Sequence, residues 1–237
     1  MKQLEQNKYR VVVEGNIACG KSTLLRHLSK VPFTEVHYEP IDRWRNIEGE
    51  NLLARYYSNA TRYAYLFQQN VLQTMMEIHH LPQTEPLFVM ERSAFSSRYC
   101  FVKTLYENRS IEDLEFNCFD RWFKWLMRER PPSVDLIIYL RTSPETCLQR
   151  LYSRSREEDK ALLLPFIKSL DVCYEQWLGT PDNHIWHNNT PVLLLDGNLD
   201  VGSDAALHNK MVSQIIQKLE NITPPEKVMK AQIEVSN

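Results

Sequence analysis

Five short runs of mostly apolar residues recur along the chain, separated by longer segments in which apolar positions return every three or four residues. The runs are Val11 to Glu14 (VVVE), Val36 to Glu39 (VHYE), Leu87 to Glu91 (LFVME), Asp135 to Leu140 (DLIIYL) and Val192 to Asp196 (VLLLD). Short, nearly continuous apolarity is what strands covered on both faces require, so these runs predict a parallel sheet. The intervening segments predict helices over 21–30, 51–80, 94–107, 111–130, 144–157, 164–178 and 203–220, with Pro32, Pro82, Pro131 and Pro132 as stops. Strands alternating with helices place the chain in the α/β class. No repeat, linker or composition shift interrupts the pattern before Pro224 and Pro225, which predicts one domain over 1–223 and a loose polar tail over 224–237.

Composition removes several function classes. In 237 residues, 43% are hydrophobic and 11% aromatic, enough bulky surface to exclude disorder as the overall state. Lys and Arg number 28 against 30 Asp and Glu, a net charge of −2, so no global field holds nucleic acid or an anionic membrane and an anion needs a local site. No apolar run approaches the roughly 20 residues that cross a bilayer, and Met1 to Arg10 carries neither a signal core nor a transit pattern. An intracellular protein is expected, cytoplasmic or nuclear, or mitochondrial if a presequence has been removed. Cys19, Cys100, Cys118, Cys147 and Cys173 are odd in number and lack a C-x-x-C pair, the pattern of reduced thiols. His184 and His187 form H-x-x-H in a polar loop without further ligands, so no metal site is assigned there.

The most specific signal is Gly15-Asn16-Ile17-Ala18-Cys19-Gly20-Lys21-Ser22, followed by Thr23. It matches G-x-x-x-x-G-K-[ST], follows the run VVVE and opens a helical segment, the context that a phosphate loop requires. Such glycines let backbone N–H groups wrap a phosphate at a helix N-terminus, while Lys21 reaches the β/γ-phosphates and the Ser22 hydroxyl can ligate Mg²⁺. Neither Asn-Lys pair continues into N-K-x-D, which disfavours a guanine-specific switch.

Three further clusters extend this site. Glu91-Arg92-Ser93 ends the third run, on the sheet edge where strand C-termini meet the phosphate loop, so Glu91 can serve Mg²⁺ and Arg92 the transferring phosphoryl group. Proline after Glu39 extends that residue into the same crevice, where a carboxylate can receive the proton of an acceptor hydroxyl. Arg150 and Arg154 share one helical face, and Arg156 joins them if the helix yields to a loop, as an arginine lid excluding water from a triphosphate would need. An acceptor pocket is expected on the helix over 51–80, where Tyr63, Phe67, Val71 and Met75 form an apolar stripe beside Gln68. Trp44, Tyr57 and Phe101 add stacking surface for a planar ring.

Together with Tyr38-Glu39-Pro40, Phe67-Gln68, Arg98-Tyr99-Cys100-Phe101 and Leu140-Arg141-Thr142-Ser143-Pro144-Glu145, these motifs resemble the deoxyribonucleoside kinases from about Val11 to Leu219. The nearest branch is the insect multisubstrate and mitochondrial thymidine kinase type. The resemblance implies a P-loop kinase fold with a five-stranded parallel sheet, helices on both sides and an arginine lid, assembled as a homodimer through helices. It implies transfer of the γ-phosphate of ATP, with Mg²⁺, to the 5′-hydroxyl of a deoxyribonucleoside, and no nucleic-acid or membrane partner. Residue by residue, Glu39 becomes the base, Arg92 holds the hydroxyl and the phosphoryl group, and Glu91 with Ser22 serves Mg²⁺. Gln68 pairs with the nucleobase between Trp44 and Phe101, Tyr57 binds the 3′-hydroxyl, and Arg150, Arg154 and Arg156 form the lid.

This chain departs from the family pattern in two places. Asp159 stands where the family has a Glu on the 3′-hydroxyl, so either Asp159 reaches by a lid shift or Glu158 substitutes. Met75 and Ser97 replace the Arg and Asp of the deoxycytidine-kinase branch, and the thymidine-accepting branch has Ala at the place of Ser97. Pyrimidine deoxynucleosides are expected to be preferred over purines. A nucleoside monophosphate kinase and a non-catalytic relative are the two other readings.

Overall fold

The computed structural model describes residues 7–154, 162–179, 190–199 and 205–222. Five strands, β1 (Tyr9–Glu14), β2 (Thr34–His37), β3 (Leu87–Glu91), β4 (Leu136–Arg141) and β5 (Val192–Asp196), form one sheet in the order β2-β3-β1-β4-β5. Every pairing is parallel, with Val11 of β1 in register with Val89 of β3 on one side and Leu136 of β4 on the other. The central strand therefore delivers the glycine-rich loop to the middle of the sheet's C-terminal edge.

Strand alternation sorts the core into two layers. Val12, Phe88, Met90, Ile137 and Tyr139 pack on one face, under α4 (Ala60–His79), α7 (Asp113–Glu129) and much of α9 (Leu164–Leu178). Val11, Val13, Val89, Ile138 and Leu140 pack on the other, under α1 (Lys21–Leu28), α8 (Pro144–Ser153) and α10 (Ala205–Glu220). Among the described residues no helix is long and apolar enough to cross a membrane. All five cysteines are free, and Cys118 alone among them is exposed.

The third and fifth strand runs and the helix over 164–178 fall where the apolar pattern put them, but other boundaries move. The second strand ends at His37, so Glu39 lies two residues past it, in the turn before a short helix α2 (Ile41–Arg45) that the pattern did not predict. The edge strands β2 and β5 are only partly buried, because among the described residues no strand pairs with their outer sides. The helix expected over 51–80 is two, α3 (Leu52–Ser58) and α4, broken at Asn59. Asn59 adopts φ −153° and its side chain accepts from the Arg62 N–H, so a cap interrupts an apolar periodicity that reads as continuous. The 94–107 helix forms as α5 (Ala94–Ser96), a π-helical turn over Ser97–Val102 and α6 (Lys103–Glu107). Finally, α8 stops at Ser153 with Arg154 as its cap, short of residue 157.

Replacing Asn59 with Ala removes the side-chain cap of α4, and we expect a loss of about 1 kcal/mol, read as a fall in Tm of about 2–4 °C. An unchanged Tm would show that the break is held by packing alone.

Candidate active site

The loop after β1 closes by local geometry. Gly15 has φ 145°, and a Cβ there would meet the Leu140 carbonyl oxygen at 2.7 Å and Cys19 Sγ at 2.8 Å. Gly20 (φ 113°) caps α1, whose first amide groups open toward the cleft. The Asn16 side chain donates to Ile167 O of α9 at 2.9 Å, and Thr142 Oγ1 donates to Cys19 O at 3.2 Å, which pins the loop from both sides. Lys21 Nζ donates to Asn16 O at 2.9 Å and Gly15 O at 3.3 Å.

The loop residues Ile17, Ala18, Cys19, Gly20, Lys21, Ser22 and Thr23 line a cleft of about 580 Å³, whereas Gly15 and Asn16 are buried and are not part of its lining. Its other walls include Glu39, Trp44, Tyr57, Gln68, Glu91, Arg92, Arg150 and Arg154. The cleft meets a recess of about 50 Å³ lined by Phe67, Gln68, Val71, Met75, Ser97 and Phe101, with Glu39 and Arg92 at the junction. The sequence-predicted residues on the described chain thus converge, whereas Arg156, Glu158 and Asp159 lie outside the described residues. Tyr63 does not join them. It belongs to the apolar stripe in sequence, but its ring lies beside Arg55 and Arg62 in a separate groove between α4 and α7.

Charge at the junction is buried and paired. Ser22 Oγ donates to Glu91 Oε1 at 2.8 Å, and Arg92 Nε is 2.8 Å from Glu39 Oε1. Burial pushes the Glu91 carboxyl up, the Glu39 carboxylate nearby adds to this, and Lys21, Ser22 and Arg92 oppose it. A serine hydroxyl beside two neighbouring carboxylates is an all-oxygen donor set of the kind Mg²⁺ takes. Arg92 sits at φ 62°, a region that a side chain enters at a cost, and its guanidinium lies 4.7 Å from the Phe101 ring centre.

Arg150 is held more firmly than a mobile lid suggests. Its Nη1 donates to Cys19 O at 3.0 Å and Gly197 O at 2.7 Å, and Nη2 to Leu199 O at 3.0 Å, tying α8 to the phosphate loop and to the segment after β5.

In the recess Trp44 Nε1 donates to Thr74 Oγ1 at 2.9 Å, and Trp44 meets Phe67 edge-on at 5.7 Å. Gln68 is 2% exposed, and among the described residues its Oε1 has no hydrogen-bond partner. A buried amide oxygen left open costs free energy unless a ligand edge meets it. The π turn widens the helix at Ser97 to Val102, a distortion frequent at functional sites, and contributes Ser97 and Phe101 to the recess wall.

Sequence reasoning missed the layer beneath Arg92. Glu14, fully buried, accepts from Ser93 Oγ and from Tyr174 Oη, the latter at 3.3 Å. The one local signal was a charged residue closing the run VVVE directly before Gly15. Burial pushes the Glu14 carboxyl up from 4.5 to about 7, against the Ser93 hydrogen bond and the charges of Arg92 and Lys21.

A parallel sheet whose central strand runs into a glycine-lysine-serine loop, facing a carboxylate and an arginine, defines a P-loop phosphotransferase. A family model described as deoxynucleoside kinase matches residues 11–221, and the chain belongs to that family. Human mitochondrial thymidine kinase 2 is 37% identical over 226 residues, covering 95% of this chain and 82% of that protein. Mitochondrial deoxyguanosine kinase of Xenopus laevis is 34% identical, covering 89% of each chain. Human deoxycytidine kinase is 31% identical, covering 81% of this chain and 84% of that one. The protein is a deoxynucleoside kinase, and that activity implies ATP as the phosphate donor.

Because the folded-state value for Glu14 lies above the ordinary one, its contribution to stability is fully present below about 4.5 and lost as pH rises to about 7. The loss amounts to about 3 kcal/mol. Glu14→Gln cannot ionise, so thermal unfolding should find its Tm rising relative to wild type between about pH 5 and about pH 8. An equal Tm difference at both pH values would refute the buried-carboxylate account.

Proposed function

We propose that the chain transfers the γ-phosphate of ATP to the 5′-hydroxyl of pyrimidine deoxynucleosides, thymidine and deoxycytidine both accepted and purines more weakly. The observation that carries this is the unpartnered Gln68 Oε1 in a recess that opens at Glu39 and Arg92, in a chain of this family. A carboxamide offers one acceptor and one donor side by side. Thymine presents N3–H and O4, cytosine N4–H and N3, and a flip of the amide satisfies either pair. Met75 and Val71 close the recess with apolar bulk, which favours one ring over two.

In this reading Trp44 and Phe101 flank the base and Tyr57 faces the sugar 3′-hydroxyl. With the ring so placed, the 5′-hydroxyl lies at Glu39, whose carboxylate takes the proton as the oxygen attacks phosphorus. The bond from that phosphorus to the bridging oxygen breaks, and ADP leaves. Arg92 and Lys21 compensate the charge spread over the phosphoryl oxygens, and Arg150 fixes the phosphate loop against α8 while Arg154 lines the entrance. Ser22 and Glu91 would hold Mg²⁺, which supplies charge neutralisation of the triphosphate when bound.

Initial rates with ATP and Mg²⁺ against thymidine, deoxycytidine, deoxyadenosine, deoxyguanosine and thymidylate test the reading. Glu39→Gln should lower kcat by about 10²–10⁴-fold while nucleoside binding persists. Purines with the highest kcat/KM would overturn the specificity, and turnover of thymidylate alone would make the acceptor a monophosphate.

We also infer a homodimer. Leu66 of α4 and Trp122 and Trp125 of α7 are each about half exposed, and the two tryptophans stack at 4.9 Å. They border a groove with Met76 and Leu126 that is apolar beyond what an isolated surface favours, and a second copy would present the same face. Light scattering should give twice the chain mass, and Trp122→Glu should give the monomer. A monomeric wild type would sink this inference.

A further inference from the structure

Resting on the reading that Arg92 acts on the transferring phosphoryl group, we propose that Tyr174 of α9, oriented by Glu14 of β1, is the positioning residue that fixes the Arg92 guanidinium. The tyrosine hydroxyl accepts from Arg92 Nη1 at 2.6 Å and donates to Glu14 Oε2 at 3.3 Å. Its one proton is committed to Glu14, so its lone pairs must face the arginine. Ser93 Oγ donates to the other Glu14 oxygen, which leaves neither carboxylate oxygen without a donor. Tyr174 and Glu14 are both fully buried, and Arg92 is 6% exposed.

The arginine needs such a hold for two reasons. Its backbone stands at φ 62°, which sets the start of the side chain but not its end. Its tip is gripped at Nη1 by Gly15 O, at 3.0 Å, and by Tyr174, while Nε faces Glu39 at 2.8 Å. Among the described residues Nη2 carries no hydrogen bond, so the anchored fork presents it to the cleft. Without the Tyr174 hydroxyl, Gly15 O alone would hold Nη1, and the guanidinium could rotate about Nε toward Glu39 and away from a phosphoryl group. A misplacement of this size in a charged clamp costs rate rather than nucleoside binding. Facing Glu14 from the surrounding elements are Ser93, Ser96, Arg92, Lys21, Cys100 and Tyr174.

The experiment is steady-state kinetics on the full chain as wild type, Tyr174→Phe, Arg92→Lys and the double variant, with thymidine and ATP·Mg²⁺. The phenylalanine keeps the ring and removes only the hydroxyl. We expect Tyr174→Phe to lower kcat by about ten- to a hundredfold, the effect of one hydrogen bond to a charged group, with thymidine KM changed less than twofold. In the Arg92→Lys background the same change should alter kcat less than twofold, because the group it positions is gone. Equal losses in both backgrounds would mean that Tyr174 acts elsewhere, and an intact kcat in Tyr174→Phe would overturn the proposal. An Arg92→Lys enzyme with full kcat would overturn the role of Arg92 itself, a separate failure. Should Tyr174→Phe not fold, Glu14→Gln enters the same cycle with the same expected coupling.

Discussion

Buried charge at the C-terminal edge of the sheet is the constraint on which the rest depends. Lys21 and Arg92 are almost wholly buried, and so are Glu14 and Glu91, with Glu39 half-buried beside them. Isolated, each such charge would cost several kcal/mol of desolvation. Their mutual arrangement offsets this: Lys21 is solvated by loop carbonyls, Arg92 by a carbonyl, a phenol and a carboxylate, and Glu91 by a serine. Both flanks of the site serve that arrangement. Asn16 and Thr142 fix the loop, and α9 brings Tyr174 under the arginine.

The apolar layers explain why the charges stay where they are. Alternation along β1 sends Val12 to one layer and Val11 and Val13 to the other, which locks the register of the strand that ends in Glu14 and Gly15. A slip of one residue would exchange the side chains of the two buried layers and displace the loop after Glu14, so the core specifies the site's geometry through the strand. The same rigidity holds the recess, whose walls come from α4 and from the π turn after β3. The loop-lined cleft and the recess thus rest on different elements and meet at Glu39 and Arg92.

Much of this was legible in the chain because it is local. The strand LFVME and the helix over 164–178 carry their own period, and the phosphate loop carries its own spacing. What escaped was decided by competition or by distance. Asn59 overrides the apolar period of 51–80 because a side-chain cap there is worth more than continuing the helix. The second strand ends before Tyr38 because it is an edge strand, where pairing with β3 stops at His37. Glu14 and Tyr174 are 160 positions apart and meet only in the folded state, so no motif spacing announces them.

Arg150 shows how a residue singled out by its spacing can carry a further task that spacing does not announce. Its spacing from Arg154 identifies the helix face correctly, and both line the cleft. Yet hydrogen bonds to the carbonyls of Cys19, Gly197 and Leu199 make it a tie between three chain segments. Carbonyl groups compete for the guanidinium with any phosphate, and a charged partner wins such a competition more readily than a neutral one. The glycine-rich loop, α8 and the segment after β5 are thereby joined by one set of hydrogen bonds at the C-terminal edge of the sheet.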